Sequence, residues 1–244
     1  MRIYAHRGAS GYVAENTLAA IKKSVELGCN AVEIDVHNVE GELYVFHDRR
    51  LDGKSSGTGL IEEVTQEYLA SVTVDGEPIP KLWDLLVYLQ PFNALINIEL
   101  KGLNSIGPFM ELYPEILSKL SYRTDQLLIS SFHHGFLFTL RQAYPEAVLA
   151  PLIEGVPEDL AAIVSRLNAY SLHLSINFVT KGLVEDAHAR GAKVFVYTVD
   201  NRDDIHYLSQ MGVDGIFSNF PDVSADCVHQ LLLTRGVSAS TYSP

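Results

Sequence analysis

Cysteine is nearly missing from this chain. Cys29 and Cys227 are the only two in 244 residues, far apart and in no C-x-x-C or other metal-type spacing. That leaves no basis for a disulfide framework and suits a reducing compartment, with both as idle thiols. Long apolar runs are missing as well: no stretch reaches the ~18 residues of a membrane span. The opening Met1–His6 enters a strand at once, without the charged and apolar pattern of a leader. The chain therefore reads as soluble and cytoplasmic. Positive charge is scarce, with Lys+Arg 18 against Asp+Glu 30 and a net charge of −12. Such a surface repels nucleic acid and anionic membranes, so neither nucleic acid nor a stable membrane association is expected. An anionic substrate would need a local basic pocket. The first strand is followed by His6-Arg7-Gly8-Ala9-Ser10-Gly11, which is neither the G-x-G-x-x-G of a dinucleotide fold nor the His-x-His of a metal-dependent amidohydrolase.

What is present describes an ordinary globular chain, 47% hydrophobic and 20% charged, long enough for one large α/β domain. A strand at Ile3–His6 precedes a helix at Glu15–Leu27, closed by Gly28. Ala31–Val36 and Leu43–Phe46 read as a hairpin across a Gly-bearing loop. With the loop centred on Glu40, residue 37 pairs with 43, 35 with 45 and 33 with 47. Arg49–Pro80, broken by glycines, serines and prolines, reads as an irregular insertion. A helix at Trp83–Leu89 and a strand at Ala94–Leu100 follow, and strand and helix then alternate to a last helix near Val223–Leu233. Without the return strand this makes eight strands, each followed by a helix. That pattern predicts a parallel sheet closed as a (β/α)₈ TIM barrel, with a small insertion after the second strand and its hairpin. Residues 1–236 are expected to form a single barrel domain, with 49–80 as the insertion and 237–244 as a loose tail.

In such a barrel the active site lies at the C-terminal ends of the strands, and polar residues gather there. The hairpin carries Glu33, Asp35 and His47, and Asn97, Glu99 and Lys101 share one face of their strand by period two. Buried carboxylates are costly unless a cation joins them. Glu33, Asp35 and Glu99 make an oxygen-only set suited to one hard divalent cation, Mg²⁺ or Ca²⁺, rather than zinc. The plainer readings are a half-exposed edge strand, and an ion pair of Glu99 with Lys101 or Arg7. His6 and His47 suit an acid and a base, each beside a charged neighbour, Arg7 and Asp48. Arg7 offers a planar fork for phosphate or carboxylate. Glu15, Asn16 and Thr17 read equally well as site residues and as a helix cap.

Taken together, His6-Arg7-Gly8, Glu15-Asn16-Thr17, the Glu-Ile-Asp-Val of 33–36, His47-Asp48 and Glu99-Leu100-Lys101 resemble the glycerophosphodiester phosphodiesterase family. The later Ser130-Ser131-Phe132, the Tyr-Thr-Val-Asp of 197–200 and the run Asp214–Asp222 agree in order. The resemblance implies hydrolysis of a small-molecule glycerophosphodiester to glycerol 3-phosphate and an alcohol, with a divalent cation. It implies catalytic histidines at His6 and His47, metal ligands at Glu33, Asp35 and Glu99, and phosphate contacts at Arg7 and Lys101. Phe132 and Tyr197 would border the substrate, with Glu15, Asn16 and Asp48 supporting the site. Tyr197 stands where relatives often carry Trp, Ala14 replaces a Pro, and Lys54-Ser55-Ser56 replaces an Arg-Thr-Thr run. The rivals are a lysophospholipase D-type hydrolase on the same barrel, its acyl trough lined by Phe132, Phe136, Phe178 and Phe220, and a non-catalytic module that binds phosphate ligands.

Overall fold

In the computed structural model, which describes residues 1–234, alternate residues of each strand take opposite environments, and this alternation builds the molecule. The elements run β1 (Arg2–His6), α1 (Leu18–Glu26), β2 (Ala31–Val39), β3 (Glu42–Val45), α2 (Gln66–Leu69), β4 (Thr73–Val74), β5 (Glu77–Pro78), α3 (Leu82–Leu89) and β6 (Leu95–Leu100). They continue α4 (Ile106–Lys119), β7 (Leu127–Ser131), α5 (His134–Ala143), β8 (Val148–Ile153), α6 (Ala162–Leu167), β9 (Ser171–Ser175), α7 (Lys181–Ala189), β10 (Lys193–Tyr197), α8 (Arg202–Met211), β11 (Gly215–Ser218) and α9 (Pro221–Thr234). The parallel order β1-β2-β6-β7-β8-β9-β10-β11 closes on itself, because β1 pairs with both β2 (Ala5↔Val32) and β11 (Arg2↔Gly215). This is a (β/α)₈ TIM barrel, with β3 added antiparallel to the upper end of β2. Among the described residues no helix is long and apolar enough to cross a membrane. The tail 237–244, with residues 235 and 236, lies outside the described residues.

Val32, Ile34 and Val36 of β2, with Ile96, Ile98 and Leu100 of β6, face outward and join Leu82, Leu85, Leu86 and Leu89 of α3 in the main core. Burying each such leucine contributes ~1.5–3 kcal/mol, so this outer layer carries much of the stability. The other parity points into the barrel in layers. Tyr4, Ala31, Leu128, Ala150, Phe195 and Phe217 form an apolar floor. The inward positions also carry buried polar residues, Asn97, Ser130 and His173, and the buried acids Glu33, Asp35 and Glu99. The strand carrying Glu33 and Asp35 is thus an interior one, flanked by β1 and β6, and not a half-exposed edge.

Two local details differ from expectation. The β2–β3 register is shifted by one: Val36 pairs with Val45, His37 with Tyr44 and Val39 with Glu42. The cause is a two-residue turn in which Glu40 (φ 51°) and Gly41 (φ 89°) are both left-handed, the geometry of a type I′ hairpin. The ladder ends at Val45, so His47 is not opposite Glu33; it lies two residues past the strand. Helix α1 starts three residues later than predicted. Thr17 caps it by accepting from the Ala20 N–H, and Asn16 sits in the left-handed region (φ 57°) outside it. Residues 49–80 hold little regular structure but have a core of their own, in which Leu51, Ile61, Leu69 and Val72 pack on Val39, Tyr44 and Phe46.

Candidate active site

The C-terminal mouth of the barrel holds a cavity of about 250 Å³, bordered by His6, Arg7, Glu33, His47, Glu99 and Lys101 on one side. Phe132, Leu152, Tyr197 and Thr198 border the other side. Two open grooves of about 640 Å³ each flank segment 49–80; His47 and Lys101 line one of them as well as the cavity. Asp35 lies behind the cavity wall, and Glu15, Asn16 and Asp48 stand outside it, each bonded to a residue of the site.

Arg7 owes its place to a sharp turn. Arg7 (φ 56°) and Gly8 (φ 77°) are both left-handed, which aims the Arg7 backbone N–H at Glu33 Oε2, 2.9 Å away. A Cβ on Gly8 would lie 2.6 Å from the Ala20 backbone, so the turn needs glycine to fit against α1. The Arg7 guanidinium is held between Glu15 Oε1 at 2.9 Å and Asp35 Oδ2 at 3.3 Å. Asn16 grips Asp35 twice, donating from Nδ2 to Oδ2 (2.9 Å) and accepting the Asp35 N–H at Oδ1 (3.2 Å). The helix-cap reading of this stretch therefore holds for Thr17, whereas the side chains of Glu15 and Asn16 bond to Arg7 and Asp35.

Carboxylate oxygens of Glu33, Asp35 and Glu99 all lie within 4.8 Å of one another, and all three residues are buried. Lys101 leans on two of them, its Nζ 2.5 Å from Glu99 Oε1 and 3.2 Å from Asp35 Oδ1. The ion pair of Glu99 with Lys101 is therefore real, but Glu33 pairs with neither basic side chain: it accepts the Arg7 backbone N–H, and His6 Nε2 lies 4.0 Å away. The electrostatics follow. Burial pushes Glu33 well above the usual carboxylate range, reinforced by Asp35 and Glu99. Burial likewise pushes Glu99 up to about 7, against the pull of Lys101. At Asp35 burial is outweighed by Lys101 and Arg7, which hold the carboxyl below its ordinary value. Three acids served by two cations leave a deficit of positive charge. Asn97 Oδ1, buried on the same face of β6, has no hydrogen-bond partner. Both features fit an oxygen-liganded cation.

The two histidines are held differently. His6 Nδ1 meets the neutral amide oxygen of Asn219 at 2.8 Å, and burial followed by the Arg7 charge lowers its pKa to about 4. His47 Nδ1 meets the Asp48 carboxylate at 2.5 Å. Burial lowers its pKa too, with Asp35 and Asp48 pulling the other way. Opposite them, Phe132 and Tyr197 meet edge to face at 6.2 Å, and Lys101 Nζ lies 5.7 Å over the Phe132 ring. The four phenylalanines of the acyl-trough reading do not form one: Phe136 is buried in the outer core and Phe220 packs on Gly11 and Tyr12.

Several site residues escaped the sequence reading. Asn219 and Asp200 sit in stretches noted for the resemblance they carry, with no role given to either residue. His173, fully buried with its Nδ1 unpartnered and its pKa pushed down to about 3 by burial, looks in sequence like one polar residue in an apolar strand. Glu154, at the cavity edge beyond β8, carries no sequence signal.

A parallel eight-stranded barrel with charged groups gathered at its C-terminal mouth belongs to the barrel enzymes, whose chemistry is carried there. Residues 6–223 match the glycerophosphoryl diester phosphodiesterase family, and the chain belongs to that family. It is 31% identical over 243 residues to a glycerophosphodiester phosphodiesterase of Caldanaerobacter subterraneus subsp. tengcongensis, covering 93% of this chain and 98% of that one. A glycerophosphodiester phosphodiesterase of Bacillus altitudinis is 33% identical, covering 91% of this chain and 95% of that one. Among solved structures, an Oleispira antarctica phosphodiesterase in complex with the product sn-glycerol-3-phosphate superposes with a TM-score of 0.86 at 27% identity, covering 94% of this chain and 97% of that one.

Proposed function

We propose that this protein is a divalent-cation-dependent enzyme hydrolysing glycerophosphodiesters to sn-glycerol 3-phosphate and an alcohol. The observation that carries the reading is the joining, around one cavity, of three buried acids, two basic side chains and two imidazoles. In this reading Glu33, Asp35 and Glu99 hold one cation. This oxygen-only donor set would suit a hard divalent cation, Ca²⁺ or Mg²⁺. When bound, the cation supplies Lewis-acid stabilisation of phosphoryl charge. Arg7 and Lys101 bind the non-bridging phosphate oxygens, and Lys101 exchanges its carboxylate partners for the phosphate as the site fills.

Lowered in pKa and paired to a neutral amide, the ring of His6 is uncharged at neutral pH with Nε2 available, so it serves as the base for the attacking oxygen. His47, its ring oriented by the Asp48 carboxylate at Nδ1, serves as the acid that protonates the departing alkoxide. Its place between cavity and groove assigns the glycerol phosphate half to the cavity and the leaving alcohol to the groove beside segment 49–80. Phe132 and Tyr197 offer ring faces to the glycerol carbons. Residues 1–236 work as one catalytic domain, in the cytoplasm, on a small soluble substrate.

The test is turnover of a panel of glycerophosphodiesters and one lysophospholipid, with and without chelator. Release of sn-glycerol 3-phosphate that chelation stops and added Ca²⁺ or Mg²⁺ restores is the expected result. Binding without turnover would establish the phosphate-ligand module instead, and preference for the lysophospholipid would establish the lysophospholipase D-type reading.

A further inference from the structure

Every polar atom of Asn219 is committed. Its backbone N–H donates to Asp200 Oδ1 at 2.8 Å, and its carbonyl accepts the Gly11 N–H at 2.9 Å. Its side-chain Nδ2 donates to Asp200 Oδ2 at 2.7 Å, while its Oδ1 faces His6 Nδ1 at 2.8 Å and Ser10 Oγ at 2.8 Å. Asp200 is anchored in turn by Ser218, whose Oγ donates to Oδ1 at 2.9 Å. A carboxylate only accepts, so Asp200 dictates which end of the Asn219 amide turns toward it. The amide nitrogen faces Asp200, and the oxygen is left to face His6. An amide oxygen also only accepts, so His6 must carry its proton on Nδ1. Nε2, 4.0 Å from Glu33 Oε2 and beyond hydrogen-bond range of it, is then a bare lone pair toward the cavity.

We infer that Asn219, oriented by Asp200, is a positioning residue: it locks His6 in the Nδ1–H tautomer and so keeps Nε2 free to take a proton. The inference rests on the reading of His6 as the base, but its test separates the two. Asp200→Asn leaves an amide opposite the Asn219 nitrogen. Two donors then face each other, Asn219 turns over, and its nitrogen points at His6 Nδ1. That favours the Nε2–H tautomer, which has no lone pair to offer. Exchanging the pair, Asn219→Asp together with Asp200→Asn, restores an acceptor beside His6 and a donor behind it.

The measurement is ring-nitrogen NMR of His6 in ¹⁵N-labelled, Ca²⁺-loaded protein at neutral pH, alongside kcat and KM for a small glycerophosphodiester. The expected results are Nδ1–H in the native protein and Nε2–H in Asp200→Asn, with kcat down about 100-fold or more and KM within about threefold, as for a base held in the wrong tautomer. The exchanged pair is expected to recover Nδ1–H and most of the lost kcat. An Nε2–H ring in the native protein, or an unchanged tautomer in a folded Asp200→Asn variant, overturns the inference. If Asp200→Asn does not fold, the exchanged pair and Asn219→Ala decide: retention of Nδ1–H in the first and its loss to a tautomer mixture in the second support the lock, and any other pattern overturns it. A tautomer that switches while kcat stays the same upholds the lock and removes His6 from the role of base.

Discussion

The two halves of the barrel mouth carry opposite chemistry. The arc formed by β1, β2 and β6, with the turn after β3, supplies His6, Arg7, Glu33, Asp35, His47, Glu99 and Lys101, all within the first 101 residues. The arc formed by β7, β8 and β10 supplies Phe132, Leu152 and Tyr197, with Glu154 as a charged exception at the edge. Both arcs come from the same repeating unit. What separates them is which side chains their inward positions carry near the strand ends. The charged arc must be neutralised to exist at all, which explains the crossed ion pairs of Arg7 and Lys101. The apolar arc needs no such support. It suits the carbon half of a ligand, as the charged arc suits the phosphate half.

Substitutions can break this division at several strengths. The largest effect is expected from His6→Ala or His47→Ala, each lowering kcat by ~10²–10⁴. Titration calorimetry should find cation binding little changed in both, because neither ring is a proposed ligand. Lys101→Met is expected to separate binding from turnover. Without the ammonium against Asp35 and Glu99 the cation meets less competition and should bind about tenfold tighter, worth ~1.4 kcal/mol. Turnover should fall at the same time. A parallel loss of both would show that Lys101 supports the acids and does not compete for them.

The third effect concerns pH and stability in chelated protein. The Glu99 carboxyl, raised by burial from the ordinary 4.5 to about 7, binds more protons folded than unfolded between those values. Its contribution is therefore present at low pH and lost as pH rises through that window. The cost is at most about 3 kcal/mol. His6, lowered to about 4, slopes the opposite way between about 4 and 6.5, so the informative quantity is a difference between proteins. Chelated Glu99→Gln should gain on chelated native protein as pH rises from 4.5 to 7, measured by thermal melting. A difference that shrinks would mean that Glu99 is stabilised as a carboxylate by Lys101 alone. The smallest effect is on the apolar arc: Phe132→Ala should raise KM ~3–10-fold, the worth of one ring contact, with kcat nearly intact.

The charged arc was also the more legible one in the sequence. Glu33 with Asp35, and Asn97 with Glu99 and Lys101, announce a shared face by period two, because acids interrupt strands that are otherwise apolar. The eight repeated units, and so the barrel, were legible for the same reason. Register was not. A turn centred on Glu40 alone and one spanning Glu40 and Gly41 differ by a single residue, and only the left-handed backbone at Glu40 decides between them. His47 still reaches the cavity because the chain after β3 returns to it, through a His37 ring that donates to the His47 carbonyl at 3.1 Å. The partners of His6 were illegible for another reason. Asn219 lies 213 positions away, and nothing in a polar strand end says which residue will accept its bond.

That distance has a consequence for how the protein is made. The strand that seals the ring, β11, pairs with β1 and is nearly the last thing translated among the described residues. A polypeptide stopped short of it, by an early stop codon or a protease, would hold every acid, both imidazoles and both basic groups with no closed wall to hold them in place. Such a fragment should be inert, a safeguard written into the order of synthesis.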